Sequence, residues 1–238
     1  MRGSQFLEMV TMLRDELGRT NDVAVSTGDV ASLKRTINRN YEALYADYDW
    51  PHLRQFATIP LLQGERYYDP PSVPSDPDIP APMDYDRIER IDVRWSGLSY
   101  PVERGIDAND YNSIDSEEDE RNGPVLKWDV RFTGDAEQIE VWPIPDTNDQ
   151  KLHFTGFRKF TRLVNDSDIC LLDDNLVVLF SAAELLARQE SKDAGAKGAA
   201  AQALYTRLKG RSKGGSRTYT LGGHLEKKPF TLAVLVGR

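Results

Sequence analysis

An α+β fold follows from where two periodicities fall along the chain. Apolar residues recur at helical spacing near both ends, and the middle alternates at the two-residue period of strands. A third observation adds an appendage, because the sequence after Lys213-Gly214-Gly215-Ser216 turns basic and then apolar. The expected architecture is a helical bundle built from the N- and C-terminal segments, with a β-rich central insertion and an extended C-terminal arm. Residues 1–53 supply the N-terminal helices, 54–165 the insertion, 166–212 the C-terminal helices and 213–238 the arm.

Phe6, Val10, Leu13 and Leu17 set the first helix, with Ser4 placed to cap its start and Gly18 to end it. After the polar stretch 21–28, Asp29 can cap a second helix whose face is Val30, Leu33, Ile37, Tyr41, Leu44 and Tyr48. Trp50-Pro51 stops it. The residue before a proline is pushed out of the helical region, so Trp50 becomes the apolar plug where the helix meets the next segment of chain. The stripe Tyr41, Leu44, Tyr45, Tyr48 and Trp50 reads as core by its spacing; an aromatic docking surface is the other reading.

From residue 54 to 161 the runs shorten and alternate, giving strands over 57–61, 87–95, 125–132, 138–142 and 151–157. Gly134-Asp135 sits between two of them as a tight hairpin turn. Residues 69–86 hold six of the thirteen prolines and read as an extended surface loop, and the acidic run within 115–120 reads as a solvated stretch. Helical spacing returns after Asp173-Asp174-Asn175, with Leu176, Leu179, Phe180, Ala183, Leu186 and Ala187 on one face and the acidic pair at the favourable end. An Ala-rich helix over 196–208, anchored by Leu204 and Leu208, is expected to pack back on it as a helical hairpin.

Charge and composition remove several classes of function. At 238 residues and 39% hydrophobic the chain can bury a sizeable core, and no apolar run is long enough for a membrane span or a signal core, so a soluble, cytosolic product is expected. Cys170, the one cysteine, excludes an internal disulfide framework and reads as a buried thiol within Ile169-Cys170-Leu171-Leu172. His52, His153 and His224 are too scattered for zinc, and the carboxylates Asp84, Asp86, Glu89 and Asp92 match no ligand loop. Ser181 lacks the glycines of a nucleophile elbow, and Gly214-Gly215 and Gly222-Gly223 lack the strand and helix of a phosphate loop. No catalytic residue, metal or cofactor is therefore expected.

The charge is divided along the chain. Residues 192–238 carry ten Lys or Arg against two Asp or Glu, whereas 1–191 carry twenty against thirty-six. For Arg207, Lys209, Arg211, Lys213 and Arg217 three destinations are open: DNA phosphates, an acidic partner protein, or plain solvation. Pro229-Phe230-Thr231-Leu232-Ala233-Val234-Leu235-Val236 is apolar and β-prone, so left free it would aggregate. It either adds to a partner's sheet edge or groove or folds back on its own sheet.

Five features carry a resemblance. They are the opening helix, the second helix over 33–50 closing on Tyr41 and Trp50, and the strand ending Ile139-Glu140-Val141-Trp142-Pro143-Ile144-Pro145. The strand Leu152-His153-Phe154-Thr155-Gly156-Phe157 and the helix starting near Asp174-Asn175 complete them. Over residues 5–208 this layout resembles the head-to-tail adaptor proteins of tailed bacteriophages, the group that includes tail tubular protein A and the tail accessory factors of short-tailed phages. The resemblance implies a virion protein, made in the host cytoplasm, that forms a ring of about twelve copies beneath the portal protein. Such a ring continues the channel for genomic DNA without reading its sequence, and offers a platform to tail or nozzle proteins. It also implies portal docking through the C-terminal segment, here Tyr219, Leu221, Pro229, Phe230, Leu232, Val234, Leu235 and Val236. The Pro-rich loop 69–86 and the acidic stretch 115–120 have no counterpart in that pattern. Two other classes stay open, a wall-degrading virion enzyme with paired carboxylates and a DNA-binding module using the basic end.

Overall fold

The computed structural model describes residues 2–19, 28–69, 83–114, 120–134 and 136–212. These residues form a mixed α+β structure of five helices and one curled seven-stranded sheet. The helices are α1 (Phe6–Glu16), α2 (Val30–Asp47), α3 (Ala108–Ser113), α4 (Asp174–Arg188) and α5 (Ala194–Ser212). The strands are β1 (Arg54–Pro60), β2 (Tyr67–Tyr68), β3 (Met83–Trp95), β4 (Leu98–Arg104), β5 (Lys127–Phe132), β6 (Glu137–Trp142) and β7 (Lys151–Arg158).

Helices from the two ends of the chain share one apolar core that includes Phe6, Leu13, Ile37, Tyr41, Val177 and Ala182. Leu17 and Gly18 close α1 as a Schellman turn: Gly18 donates to the Asp15 carbonyl at 3.1 Å and Arg19 to that of Arg14 at 2.9 Å, with Gly18 at φ +62°. Ser4 does not cap α1. Gln5 holds the cap position, and the Ser4 hydroxyl instead donates to Asp174 at 2.8 Å, joining the chain's first residues to the start of α4. Asp29 does stand at the start of α2, but its carboxylate pairs with Arg19 at 2.6 Å and caps no backbone group.

Side chains from outside α2 close its C-terminal end. A helix leaves its last carbonyls without partners. The indole N–H of Trp50 donates to Leu44 O at 3.0 Å, and the Arg87 guanidinium donates to Tyr45 O and Tyr48 O, each at 3.0 Å. Arg87 also pairs with Asp49 and lies over the rings of Tyr45 and Phe157. Arg87→Met is expected to cost about 2 kcal/mol in chemical denaturation, because it strips two carbonyls of a charged donor while keeping most of the packing. Wild-type stability in that variant would show that solvent serves the helix end equally well.

The acidic pair expected at the start of α4 divides into two roles. Asp173 caps the helix by accepting from Leu176 N–H at 3.3 Å, while Asp174 is fully buried. Burial raises the Asp174 pKa above its ordinary 3.8, against the hydrogen bonds from Ser4 that lower it. A folded state with a raised pKa holds the proton more tightly than the unfolded chain. The associated stability is complete below the ordinary value and is lost as pH rises through the folded one. Asp174→Asn has no proton to exchange, so its melting temperature relative to wild type is expected to be more favourable at about pH 7 than at about pH 4. Equal differences at the two values would show a carboxyl that titrates normally.

The buried side of α4 keeps Leu176 and Leu186 of the expected stripe but extends beyond it. Val177, Val178, Ser181, Ala182 and Leu185 are buried, whereas Ala187 is exposed and Leu179 and Phe180 are half-buried. The cause is that α1, α2 and α5 all contact this helix, so more than one side of it is covered. In α5 the deepest anchors are Ala201 and Tyr205, with Leu204 and Leu208 only half-buried against the same core.

The sheet runs β1-β7-β3-β4-β5-β6-β2. It consists of two antiparallel groups joined by a short parallel pairing, Glu103 with Lys127 and Arg104 with Trp128. The edge strands β1 and β2 are consecutive in sequence, separated only by residues 61–66. A flat seven-stranded sheet would hold its edges about 29 Å apart. The linker fully extended reaches only about 25 Å, and a turn in which Glu65 N–H donates to Leu62 O shortens it further. The sheet must therefore curl. Its interior is a second core that includes Leu61, Val93, Trp128, Val141, Leu152 and Phe154. Phe157, near the end of β7, belongs instead to the helical core.

The loop expected over 69–86 is shorter than its prolines imply. Residues 83–86 open β3, with Met83 and Tyr85 buried and Asp84 and Asp86 turned outward. Residues 70–82 and 115–119 lie outside the described residues. β3 carries two register shifts where it passes Gly156. A Cβ at Gly156 would stand 2.9 Å from the Met83 sulfur and 3.1 Å from the Arg87 carbonyl oxygen, so the irregular strand depends on a residue without a side chain. β2, β4 and α3 have no counterpart in the expected elements, whereas β5 and β6 pair in antiparallel register, Phe132 opposite Glu137, on either side of the expected turn, of which Asp135 lies outside the described residues.

Candidate functional site

The basic residues singled out in the sequence divide once they are placed. Lys209 is occupied within the chain: it pairs with Asp47 at 3.1 Å and lies 4.2 Å over the ring of Tyr205 and 4.9 Å over that of Tyr48. Tyr205 also donates to Asp47, and this bond, with that of Lys209, holds the Asp47 carboxyl below the usual carboxylate range. The cluster clamps the end of α5 to the end of α2. Arg207 and Arg211, one turn apart, line a groove of about 460 Å³ with Met12, Glu16, Val178 and Leu208. Lys213, Arg217 and the arm residues Tyr219, Leu221, Pro229, Phe230, Leu232, Val234, Leu235 and Val236 lie outside the described residues. Arg207 and Arg211 are thus the two basic residues of α5 that line this groove.

A second surface is built from the segment after β7. Asn38 of α2 clamps it with two hydrogen bonds to Leu163, donating to its carbonyl at 2.9 Å and accepting from its N–H at 3.0 Å. The Asp168 carboxylate accepts from the N–H groups of Val164 and Asn165 at 2.6 and 2.8 Å, and those bonds hold its pKa below the ordinary range. Phe6 and Leu7 donate to Asp168 O and Asp166 O, and Lys34 pairs with Asp166. The segment is fixed on two sides, yet it holds Val164 71% exposed and Ile169 56% exposed beside a groove of about 680 Å³.

The most concentrated polar constellation was not singled out in the sequence. Glu140 is 1% exposed, and Arg66 and Arg131 each donate an Nε–H to it at 2.7 Å. The Tyr111 hydroxyl bonds both of its oxygens at 3.0 Å, and the Arg66 guanidinium lies over the rings of Tyr111, Trp142 and Tyr67. Lys127 pairs with Asp110 at 2.7 Å, holding α3 in the position from which Tyr111 reaches in. The signal was present in the chain: Ile139-Glu140-Val141-Trp142 carries a lone charge within an apolar run, which demands buried partners. Among the described residues both carboxylate oxygens are engaged, and the network ties the segment before β2 to α3, β5 and β6.

The residues weighed for catalysis are dispersed and internally engaged. Glu89 pairs with Arg54, and Asp92 with Arg90, each at 2.7 Å. Asp84 accepts from Asp86 N–H at 3.1 Å. His52 bonds Leu171 O at 2.8 Å, His153 bonds the Thr58 hydroxyl at 3.0 Å, and Ser181 is buried, donating to Val177 O at 2.8 Å. His224 lies outside the described residues. Burial pushes the Cys170 thiol up to about 12, which keeps it protonated and poor as a nucleophile. Among the described residues no group of three His, Cys, Asp or Glu is placed to hold a metal, and no helix is long and apolar enough to cross a membrane. The aromatic stripe of α2 is core, with Tyr41, Tyr45 and Trp50 at 2% exposure or less.

A protein-family model described as SU10 adaptor protein matches residues 4–224. The match spans both groups of helices and the whole sheet. No curated protein matches the chain.

Proposed function

We propose, on the premise that the chain belongs to the SU10 adaptor protein family, that it is a structural adaptor of the tail tubular protein A kind, assembled as a ring of about twelve copies beneath the portal of a bacteriophage. Family membership makes it a bacteriophage adaptor, a virion component with a structural and not an enzymatic role, and the match over 4–224 is the observation that carries the reading. The helices of 1–53 and 166–212 form a bundle, 54–165 form a β-rich insertion, and 213–238 act as an arm that docks on the portal. Genomic DNA passes through the lumen, and tail proteins dock on the platform.

Charge supports this division of labour. An acidic body repels phosphate and lets DNA slide, while a basic, apolar end is steered to a complementary portal surface and then held by burial. Each arm after the first binds in an effectively intramolecular step, so weak single contacts add up to a firm attachment.

The test is the mass of the purified protein alone and mixed with the portal protein of the same phage, by native mass spectrometry. A complex holding about twelve copies is expected; a stable monomer that never joins the portal would overturn the reading. Removing residues 222–238 is expected to leave a folded protein that no longer joins portal-containing particles, whereas loss of folding would place that segment in the core.

A further inference from the structure

Two surface features of this chain are complementary, and neither is satisfied within it. The first is the groove beside residues 161–169. Its wall includes Tyr41 and Leu171, its rim carries the exposed Val164 and Ile169, and Arg158 lines it. The Arg158 guanidinium has no carboxylate at ion-pair distance among the described residues, and its Nε–H is buried without an acceptor. Arg162, also on the groove, reaches Glu42 only at 3.5 Å. The groove therefore calls for an apolar knob that brings a carboxylate.

The second feature is the turn of the β5–β6 hairpin. Phe132 is 71% exposed there, and its antiparallel neighbour Glu137 is exposed with no ion pair among the described residues. The hairpin thus offers an aromatic side chain beside a carboxylate. Contiguous exposed apolar surface, such as Val164 and Ile169 beside the groove, marks an interaction site, and aromatic knobs in pockets dominate interface energies.

We infer that the β5–β6 turn of one copy seats Phe132 in the Arg158–Val164–Ile169 groove of the next copy, with Glu137 facing Arg158. The contact joins two different patches, so its repetition runs head to tail around a closed ring. The inference rests on the ring reading above and deepens it by naming the copy-to-copy joint.

The test uses the full chain with and without the portal protein. Phe132→Asp and Val164→Asp alter exposed positions, so both variants are expected to keep the wild-type circular dichroism spectrum and melting temperature. Each is expected to weaken copy-to-copy affinity by about thirtyfold and to deplete the multi-copy species in native mass spectrometry. Glu137→Arg is expected to weaken assembly and to recover when combined with Arg158→Glu in the same chain, since each joint then regains an opposite pair. In a Phe132→Cys, Val164→Cys chain, a short bismaleimide is expected to link neighbouring copies, with the buried native Cys170 left unreacted. Full assembly of both aspartate variants would overturn the joint and leave the ring reading standing. A wild-type chain that forms no multi-copy species at any concentration, with or without portal, would remove the ring reading and the joint together.

Discussion

Replacing Glu140 by alanine is expected to lower folding stability by about 3–5 kcal/mol, the cost of leaving opposed buried charges without their partner. The carboxylate is the single acceptor on which two guanidiniums and a tyrosine hydroxyl converge. Its removal would set Arg66 and Arg131 against each other across the vacated space. It would also release β2, a two-residue edge strand whose two paired positions face Glu140 and Ile139 of β6. Glu140→Gln keeps the shape and one acceptor, so a smaller loss is expected. A triple replacement, Glu140→Met with Arg66→Met and Arg131→Met, is expected to recover much of the loss, because a buried ion network and a packed apolar cluster are close in free energy. The check is urea denaturation of all three variants. Alanine and wild type within about 0.5 kcal/mol of each other would mean that water reaches the site freely.

A loss of about 3–5 kcal/mol is likewise expected for Trp50→Ala. The indole is 1% exposed, packs edge-on against Tyr48 and Tyr205 at centroid distances of 5.0 and 6.2 Å, and gives its N–H to Leu44 O. The substitution opens a cavity at the junction of α2, α5 and the sheet and leaves a helix-end carbonyl without its donor. Trp50→Phe separates the two parts. It keeps most of the volume and loses only the hydrogen bond, for an expected cost of about 1–2 kcal/mol. Thermal melts of the two variants measure the difference, and equal destabilisation would show that the hydrogen bond, not the cavity, dominates.

Much of the helical core was legible because its periodicity is uninterrupted: Phe6, Leu13, Leu33, Ile37 and Tyr41 sit where helical spacing places them, and Trp50 is the plug that Pro51 demands. The alternation of Met83 and Tyr85 was hidden by the prolines before it, since composition over a window outweighed a period visible in only four residues. β4 escaped notice for a similar reason. Its pattern is mostly exposed, with a proline inside it and only Val102 fully buried. Leu179 and Ala187 of α4 were misplaced because three neighbours cover that helix, a tertiary fact absent from its own spacing. The candidate surfaces divide in the same way. The basic residues of α5 could be read from charge alone, yet only the fold shows that Lys209 is already engaged. The lone charge of Glu140 in its apolar run could be seen but not its partners, and the groove beside Val164 could not, because each gathers residues from separated segments that only the fold brings together.

The bond between Ser4 and Asp174, with the bridges from Arg2 to Asp173 and from Gln5 to Ile169, has a consequence for how the protein is made. About 160 residues separate the end of α1 from the start of α4, one of the two helices it packs against, which at ordinary ribosomal speeds means a wait on the order of ten seconds. Through that interval Phe6, Met9, Val10 and Leu13 have α2 beside them but lack the cover that α4 supplies. The sheet strands β1 to β6 emerge meanwhile, but β1 and β3 both pair with β7, so that half of the sheet also stays open until residue 158 is made. Nascent chains are thus expected to be most exposed to chaperones and proteases late in translation, and a ribosome stalled before residue 174 releases a product whose first helix has α2 but not α4 to pack against.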